Sequence, residues 1–420
     1  MLVMKFGGAS VKDAAAIKHV AAIIQQFLDQ PTLTVISASG KMTNHLEVLA
    51  ELARTGKEQE AWKQLAFIEE YHTAIIEALF EEKNGQEAVK KQAAGFVNQI
   101  KRIVQGILLL EEFPPRTYDR IVAFGELLST TIFAAYLKSQ GVDCQWLDAR
   151  KLVRTDATYK AANVIWSVTR ETIRAEVLPI AQSGKVLITQ GFIAATESGH
   201  TTTLGREGSD YTGAIFAHCL EAERMMVWKD VRGILNADPR RTDDTIKHDH
   251  LSYEEAVEMT FYGASVIHPK TIKPLFNKGI PLQVKSFVDL KEEGTVIGKG
   301  PGDPNIASTI FKDLQALIKI TPKDFSFMDE SHMREIFSHV YKSGLKVNLM
   351  QNTAISLLFC VDDKVSLLEA FMGLVLDGFD VEVTHGHVLK TVLNFSEETL
   401  LAARSGKMTQ RYGNKLFVVE

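Results

Sequence analysis

Three times in this chain an apolar run ends in a small, glycine-bearing loop and gives way to a helical pattern. Leu2–Phe6 stops at Gly7-Gly8 ahead of Ala14–Leu28, where Ile17, Val20, Ala21, Ile24, Phe27 and Leu28 recur at helical spacing. Thr32–Ile36 runs into Ser37-Ala38-Ser39-Gly40-Lys41-Met42-Thr43-Asn44, with a helix predicted from His45. Lys185–Ala194, one apolar run, leads to the loop Thr201–Asp210 and then to a small-residue helix, Tyr211–Leu220. Alternation of this kind predicts βα units, hence an α/β sandwich around a mainly parallel central sheet. Each loop can also cradle an anion. Glycines let the backbone approach it, and the following helix directs unpaired N–H groups at it.

Charged residues stand where such cradles use them. Lys5 closes the first strand and can reach over the diglycine turn. Arg206 supplies a planar fork suited to a carboxylate or phosphate. Glu126 sits in an apolar helix, Tyr118–Lys138, where a carboxylate needs a cation or an exposed edge. Arg224–Trp228 reads as a strand whose C-terminal end carries Lys229, Asp230 and the turn-rich stretch to Arg240, the edge at which open α/β sheets bind ligands. A helix is expected at Tyr253–Phe261 and a late strand at Leu282–Ser286. His45–Glu112 is almost all helical pattern, too much for a crossover, and reads as a helical insertion (about 45–115) forming a lid or specificity wall.

Other classes are disfavoured. The net charge of −5, without a basic block, argues against nucleic acid as a partner. No uninterrupted apolar run reaches the length of a membrane span, and no leader pattern opens the chain, so neither membrane nor export is expected and a cytoplasmic location is. Cys144, Cys219 and Cys360 are far apart, with no metal spacing, as in a reducing compartment.

Lys5-Phe6-Gly7-Gly8, the Ser37–Asn44 loop, Phe124-Gly125-Glu126, Thr202–Arg206 with Gly208-Ser209-Asp210, and Trp228-x-Asp230-Val231-x-Gly233-Ile234 with Asp238-Pro239-Arg240 occur in one order. Together they closely resemble aspartate kinases of the amino-acid kinase family, across about residues 1–298. The resemblance implies ATP-dependent phosphorylation of the L-aspartate β-carboxylate to 4-phospho-L-aspartate, which leads to lysine, threonine and methionine. It implies that Lys5 meets the phosphates and the charge of the transition state, and that Asp210 holds Lys5. Gly7, Gly8 and the Ser37–Ser39 backbone, Ala38 included, would cradle the phosphoryl group. Arg206 would clamp the aspartate α-carboxylate, Glu126 and Thr43 would fix its amino end, and Ser37, Ser39 and Ser209 join the substrate contacts. Asp230, Leu235 and Arg240 match the nucleotide pocket. Mg2+ would bridge phosphate oxygens, mainly with water ligands and no dedicated protein ligand.

This chain departs from the family pattern at several positions. Ala9 stands where a hydroxyl residue is usual. Glu207 replaces a commoner glycine and must point away from bound anions. Ser265 stands at a usual lysine of the ATP pocket, and Lys229 at a usual threonine, so Lys229 is expected to supply the missing cation. Leu235 replaces an aromatic. Two other readings stay open: a kinase for another small carboxylate such as N-acetylglutamate, and a catalytically weak amino-acid-sensing regulator.

Gly294–Pro304 reads as a linker to a second domain, 299–420. Strands at Leu314–Ile320, Lys346–Leu349, Ile355–Val361 and Phe379–Val383, with helical faces near Met333–Tyr341 and Leu367–Val375, give the order βαββαβ. That order resembles an ACT domain. Val388–Phe395 and Leu416–Val419 are two added strands. The resemblance implies a regulatory or dimerising unit, with lysine or threonine as effector near Thr321–Ser331 and Asn352-Thr353, and a homodimer or higher homo-oligomer.

Overall fold

The structure, a computed structural model, describes residues 1–264, 267–403 and 406–420. It divides into two compact units. The first comprises Met1–Ile234, Asp249–Ala256 and Ile267–Pro301; the second comprises Leu235–His248, Val257–Val266 and Gly302–Glu420.

In the first unit the strands in chain order are β1 (Leu2–Phe6), β2 (Thr32–Ile36), β3 (Cys144–Leu147), β4 (Arg154–Thr155), β5 (Val186–Gln190), β6 (Ile193–Thr196), β7 (Thr201–Thr203), β8 (Arg224–Lys229), β9 (His250–Ser252), β10 (Leu282–Ser286) and β11 (Thr295–Gly298). Eight of them form one sheet in the order β3-β5-β2-β1-β8-β10-β11-β9, parallel except where β10 meets β11. Its central strands β1, β2 and β5 are buried at every residue, as expected of a parallel sheet covered on both faces. The helices of this unit up to Leu220 are α1 (Ala14–Gln25), α2 (Met42–Arg54), α3 (Glu58–Leu79), α4 (Lys83–Leu110), α5 (Pro115–Ser139), α6 (Ala149–Leu152), α7 (Trp166–Gln182) and α8 (Gly208–Leu220). α1 is capped by Asp13, whose carboxylate accepts the Ala16 N–H at 2.8 Å. α5 is long and apolar enough to cross a membrane by length and composition, yet it is mostly buried and serves as the core helix of this unit.

The elements differ from the sequence expectations at several places, among them Gly294–Pro304, whose residues Thr295–Gly298 are not linker but strand β11 of the main sheet, paired with β10 and β9. The run Lys185–Ala194 is two strands, broken at Gly191-Phe192 where Phe192 turns left-handed (φ 66°). The stretch read as a loop from Thr201 begins with β7, which pairs antiparallel with β6 in a small sheet β4-β6-β7. Helices α2 and α8 start three residues early, at Met42 and Gly208, so Thr43, Ser209 and Asp210 lie in first turns. There the free N–H groups and positive end of the dipole are concentrated.

In the second unit, Ser308–Pro322, Val347–Asn352, Leu357–Asp362, Phe379–Leu393, Met408–Tyr412 and Lys415–Val419 form a six-stranded sheet, antiparallel throughout. Helices Glu330–Ser343 and Val365–Val375 pack on it around Ile318, Ile336, Phe359 and Phe371. The order strand-helix-strand-strand-helix-strand matches the expected ACT-like pattern. Val388–Phe395 is not a separate strand, because its residues to Leu393 continue Phe379–Leu393, and Met408–Tyr412 is a strand the pattern did not reveal. Of the two segments expected near an effector, Thr321–Ser331 is tied to the residue just after Asn352-Thr353: the Met328 N–H donates to the Ala354 carbonyl at 2.9 Å.

Candidate active site

β2, β1 and β8 are neighbours in register, with Lys5 beside Val35 and Val227, so the loops that follow them leave the same edge of the sheet. Parallel sheets place ligands at that edge. The loops are laced to one another: the Gly40 N–H donates to Gly8 O at 2.9 Å and the Gly191 N–H to Ile36 O at 3.0 Å. Gly8 has to be glycine, because a Cβ there would lie 2.4 Å from Gly40 O and 2.7 Å from Ala38 O.

A cleft of about 450 Å³ opens over these loops, lined among others by Lys5, Gly8, Ser37, Ala38, Thr43, Glu126, Arg206, Ser209 and Asp210. Residues separated by two hundred positions thus converge, Lys5 and Asp210 most closely, with Nζ 2.6 Å from Oδ1. The other oxygen of Asp210 lies 3.3 Å from the Lys229 Nζ. Burial of Asp210 opposes its charge, but the ammonium groups of Lys5 and Lys229 outweigh that and hold its carboxyl below the ordinary range. One fully buried carboxylate therefore orients two lysines at the end of the sheet.

Glu126 has the opposite electrostatics. It is 2% exposed; its Oε1 accepts the Ala38 N–H at 3.3 Å and its Oε2 has no hydrogen-bond partner among the described residues. Burial pushes its carboxyl up to about 8, against the smaller pull of that N–H and of Lys5. A carboxyl in this state is a receptor for a cation, whose charge would draw it into its ionised form.

Other expected residues lie nearby or elsewhere. Gly7 adjoins the Lys5 ammonium, 3.6 Å from the Cβ it lacks. Ser39 is buried and its hydroxyl donates to Ser129 at 3.2 Å. Asp230 is exposed just past β8. Leu235 and Arg240 belong to the second unit, where Leu235 bridges to Lys247 and exposed Arg240 pairs with Asp238 at 2.8 Å. Ser265 lies outside the described residues. Glu207 lines the cleft in a left-handed conformation (φ 55°) that explains a preference for glycine there.

The cleft also recruits Glu47, Tyr118, Lys160 and Phe192, which local reading did not single out. Tyr118 could have been found, since it precedes Glu126 by two helical turns and so shares its face of α5. Lys160 sits in a turn-rich connection with no sequence signal.

Residues 1–286 match the model of the amino acid kinase family. The chain belongs to that family. Among curated relatives of this amino acid kinase, lysine-sensitive aspartokinase 3 of Escherichia coli is 33% identical over 86% of the chain and 78% of its own length. Chloroplastic aspartokinase 1 of Arabidopsis thaliana is 30% identical over 86% of the chain, which spans 63% of that relative. Among solved structures, E. coli aspartokinase III in complex with aspartate and ADP (R-state) superposes with a TM-score of 0.84 at 28% identity, covering 100% of this chain and 96% of the other. The fold of this amino acid kinase is thus that of its relatives, and its cleft is built from loops at the strand ends.

Proposed function

We propose that the protein transfers the γ-phosphoryl group of ATP to the β-carboxylate of L-aspartate, releasing ADP and 4-phospho-L-aspartate, the step that opens lysine, threonine and methionine synthesis. The observation that carries this is one cleft holding the Lys5–Asp210 pair, Arg206 and the half-satisfied Glu126 carboxylate. An α-amino acid with a second carboxylate has the complementary charges. Arg206 takes the α-carboxylate, Glu126 and Thr43 take the ammonium, and the β-carboxylate is left facing Lys5. The E. coli relative in complex with aspartate and ADP supports aspartate as acceptor and an adenine nucleotide as donor.

In the reaction, a β-carboxylate oxygen forms a bond to the γ-phosphorus as the bond to the β–γ bridging oxygen breaks, and ADP carries away that electron pair. No general base is needed, because the acceptor is already ionised at neutral pH. Lys5, held by Asp210, meets the charge on the transferring group; the Gly7-Gly8 and Ser37–Ser39 backbones and the first turns of α2 and α8 line its position. Lys229 adds positive charge at the same end, and an unchanged ATP KM in Lys229→Ala would remove it from that role. Among the described residues no group of three His, Cys, Asp or Glu side chains is arranged to hold a metal, and Asp210 is committed to two lysines. Mg2+ would be held mainly by the nucleotide's own phosphates and would supply charge neutralisation there.

Glu126 also separates this reading from an N-acylated acceptor, whose amide has no charge to offer the free Oε2. The test is ADP release with aspartate, glutamate and N-acetylglutamate: turnover with aspartate alone is expected, and its absence would refute the assignment. The lysine sensitivity in the E. coli relative's name makes lysine, then threonine, the effectors to add to that assay. Pairing through the open edges of the C-terminal sheet, Val347–Asn352 and Met408–Tyr412, accounts for a homo-oligomer. We also propose a cytoplasmic location for the enzyme.

A further inference from the structure

We infer that Lys160 is a second anchor for the α-carboxylate of the acceptor amino acid, acting beside Arg206. The inference rests on the aspartate kinase reading and adds a residue to it.

Lys160 lines the cleft although it lies in a connection far from the glycine loops. Its backbone is left-handed (φ 70°), a conformation a lysine adopts at a cost, so the surrounding structure must impose it. The imposing group is Asp119, which is fully buried and receives the Lys160 N–H on both oxygens at 3.0 Å. The same carboxylate accepts the N–H and hydroxyl of Thr203, at 3.0 and 2.9 Å. Two residues on, Gly205 is so close to the Lys160 turn that an added Cβ would lie 3.3 Å from Lys160 O and 3.2 Å from the Ala161 Cβ. Asp119 thus fastens the turn carrying Lys160 to the strand leading into Arg206, and the two cations are presented from one joined wall.

The side chain is directed as well. The Lys160 Nζ lies 4.7 Å from the centroid of the Tyr118 ring, and the Tyr118 hydroxyl donates to Glu47, which holds the ring in place. Neither Lys160 nor Arg206 forms a salt bridge among the described residues. Lys160 feels the Asp119 charge only at a distance, and two cations on one wall without a salt bridge suit the two oxygens of a carboxylate. The tie runs to the Arg206 arm and not to the Gly7-Gly8 cradle, which assigns the charge to the amino acid and not to the phosphates.

The test uses the full chain with Lys160→Met, Lys160→Arg and Lys160→Gly, the last accepting the left-handed backbone without strain. Steady-state constants are measured for aspartate, ATP and L-isoasparagine, whose α-carboxylate is a neutral amide. Loss of a charged contact made equally in ground and transition states should raise the aspartate KM about tenfold in Lys160→Met and Lys160→Gly, with kcat and the ATP KM unchanged. Lys160→Arg should stay within about threefold of wild type, and the preference for aspartate over isoasparagine should fall by the same factor of about ten in the Met and Gly variants. An unchanged aspartate KM, an equal shift for both acceptors, or a rise in ATP KM instead would overturn the inference while leaving the kinase assignment standing. A wild-type protein that turns over no aspartate would end both.

Discussion

Replacing Glu126 by glutamine removes a buried carboxyl whose two environments, folded and unfolded, differ widely. In the folded protein burial pushes it up to about 8, from 4.5. Between those values the native state holds a proton that the unfolded chain has released, so this group makes stability fall as pH rises from 4.5 through 8. At about 1.36 kcal/mol per unit, the cost is about 3 kcal/mol at pH 7 and approaches about 5 kcal/mol above pH 9. Glutamine cannot ionise and escapes the cost. Urea denaturation of both proteins, without ligand, should show Glu126→Gln gaining on wild type steadily across that window. Aspartate reverses the balance. Its ammonium supplies the partner that Oε2 lacks, so binding at pH 7 should release close to one proton from wild type and none from the variant, read by calorimetry in buffers of differing ionisation enthalpy. The variant should bind aspartate about 10- to 100-fold more weakly, since a charged hydrogen bond is lost. Parallel stability curves from pH 5 to 8, or equal proton release, would refute the reasoning.

Lys5→Ala leaves Asp210 buried with Lys229 alone, and should cost about 3 kcal/mol in chemical denaturation and abolish ADP release; adding Asp210→Asn should restore most of the stability and none of the turnover. Glu207→Gly should raise stability by about 0.5–1 kcal/mol, the relief at φ 55° less the added freedom of the unfolded chain, seen as a higher melting temperature. His72 is buried in α3 with Nδ1 bonded to Ile68 O at 2.7 Å, and burial lowers it to about 4 from 6.5. Here the unfolded chain takes the proton first, so stability is lost as pH falls from 6.5 to 4, by about 3 kcal/mol, and His72→Phe should flatten that limb of the denaturation profile.

Much of the site was legible because its parts are local patterns. An apolar run, a glycine turn and a helical face are set by neighbours within a few residues, and Lys5, Arg206 and Glu126 stand at recognisable points within them, whereas Asp210 is marked only by the family resemblance. Helix starts were harder to see. Met42 and Gly208 open helices with no side-chain cap, so the first turns holding Thr43 and Ser209 carry no local helix-start signal.

What residue order alone dictated was the alternation of strand and helix, the glycine loops at strand ends, and the charges on them, because backbone preference and burial period act at short range. Only the folded chain could decide that Lys229 shares Asp210 with Lys5, that Phe192 splits one apolar run into two strands, that segments 235–248 and 257–266 pack with the C-terminal unit, and that Asp119 joins the turn of Lys160 to Thr203 across 84 positions. Each of those depends on which distant segments become neighbours in the packed sheet, and a buried carboxylate acquires its partners and its proton affinity only once that packing is complete.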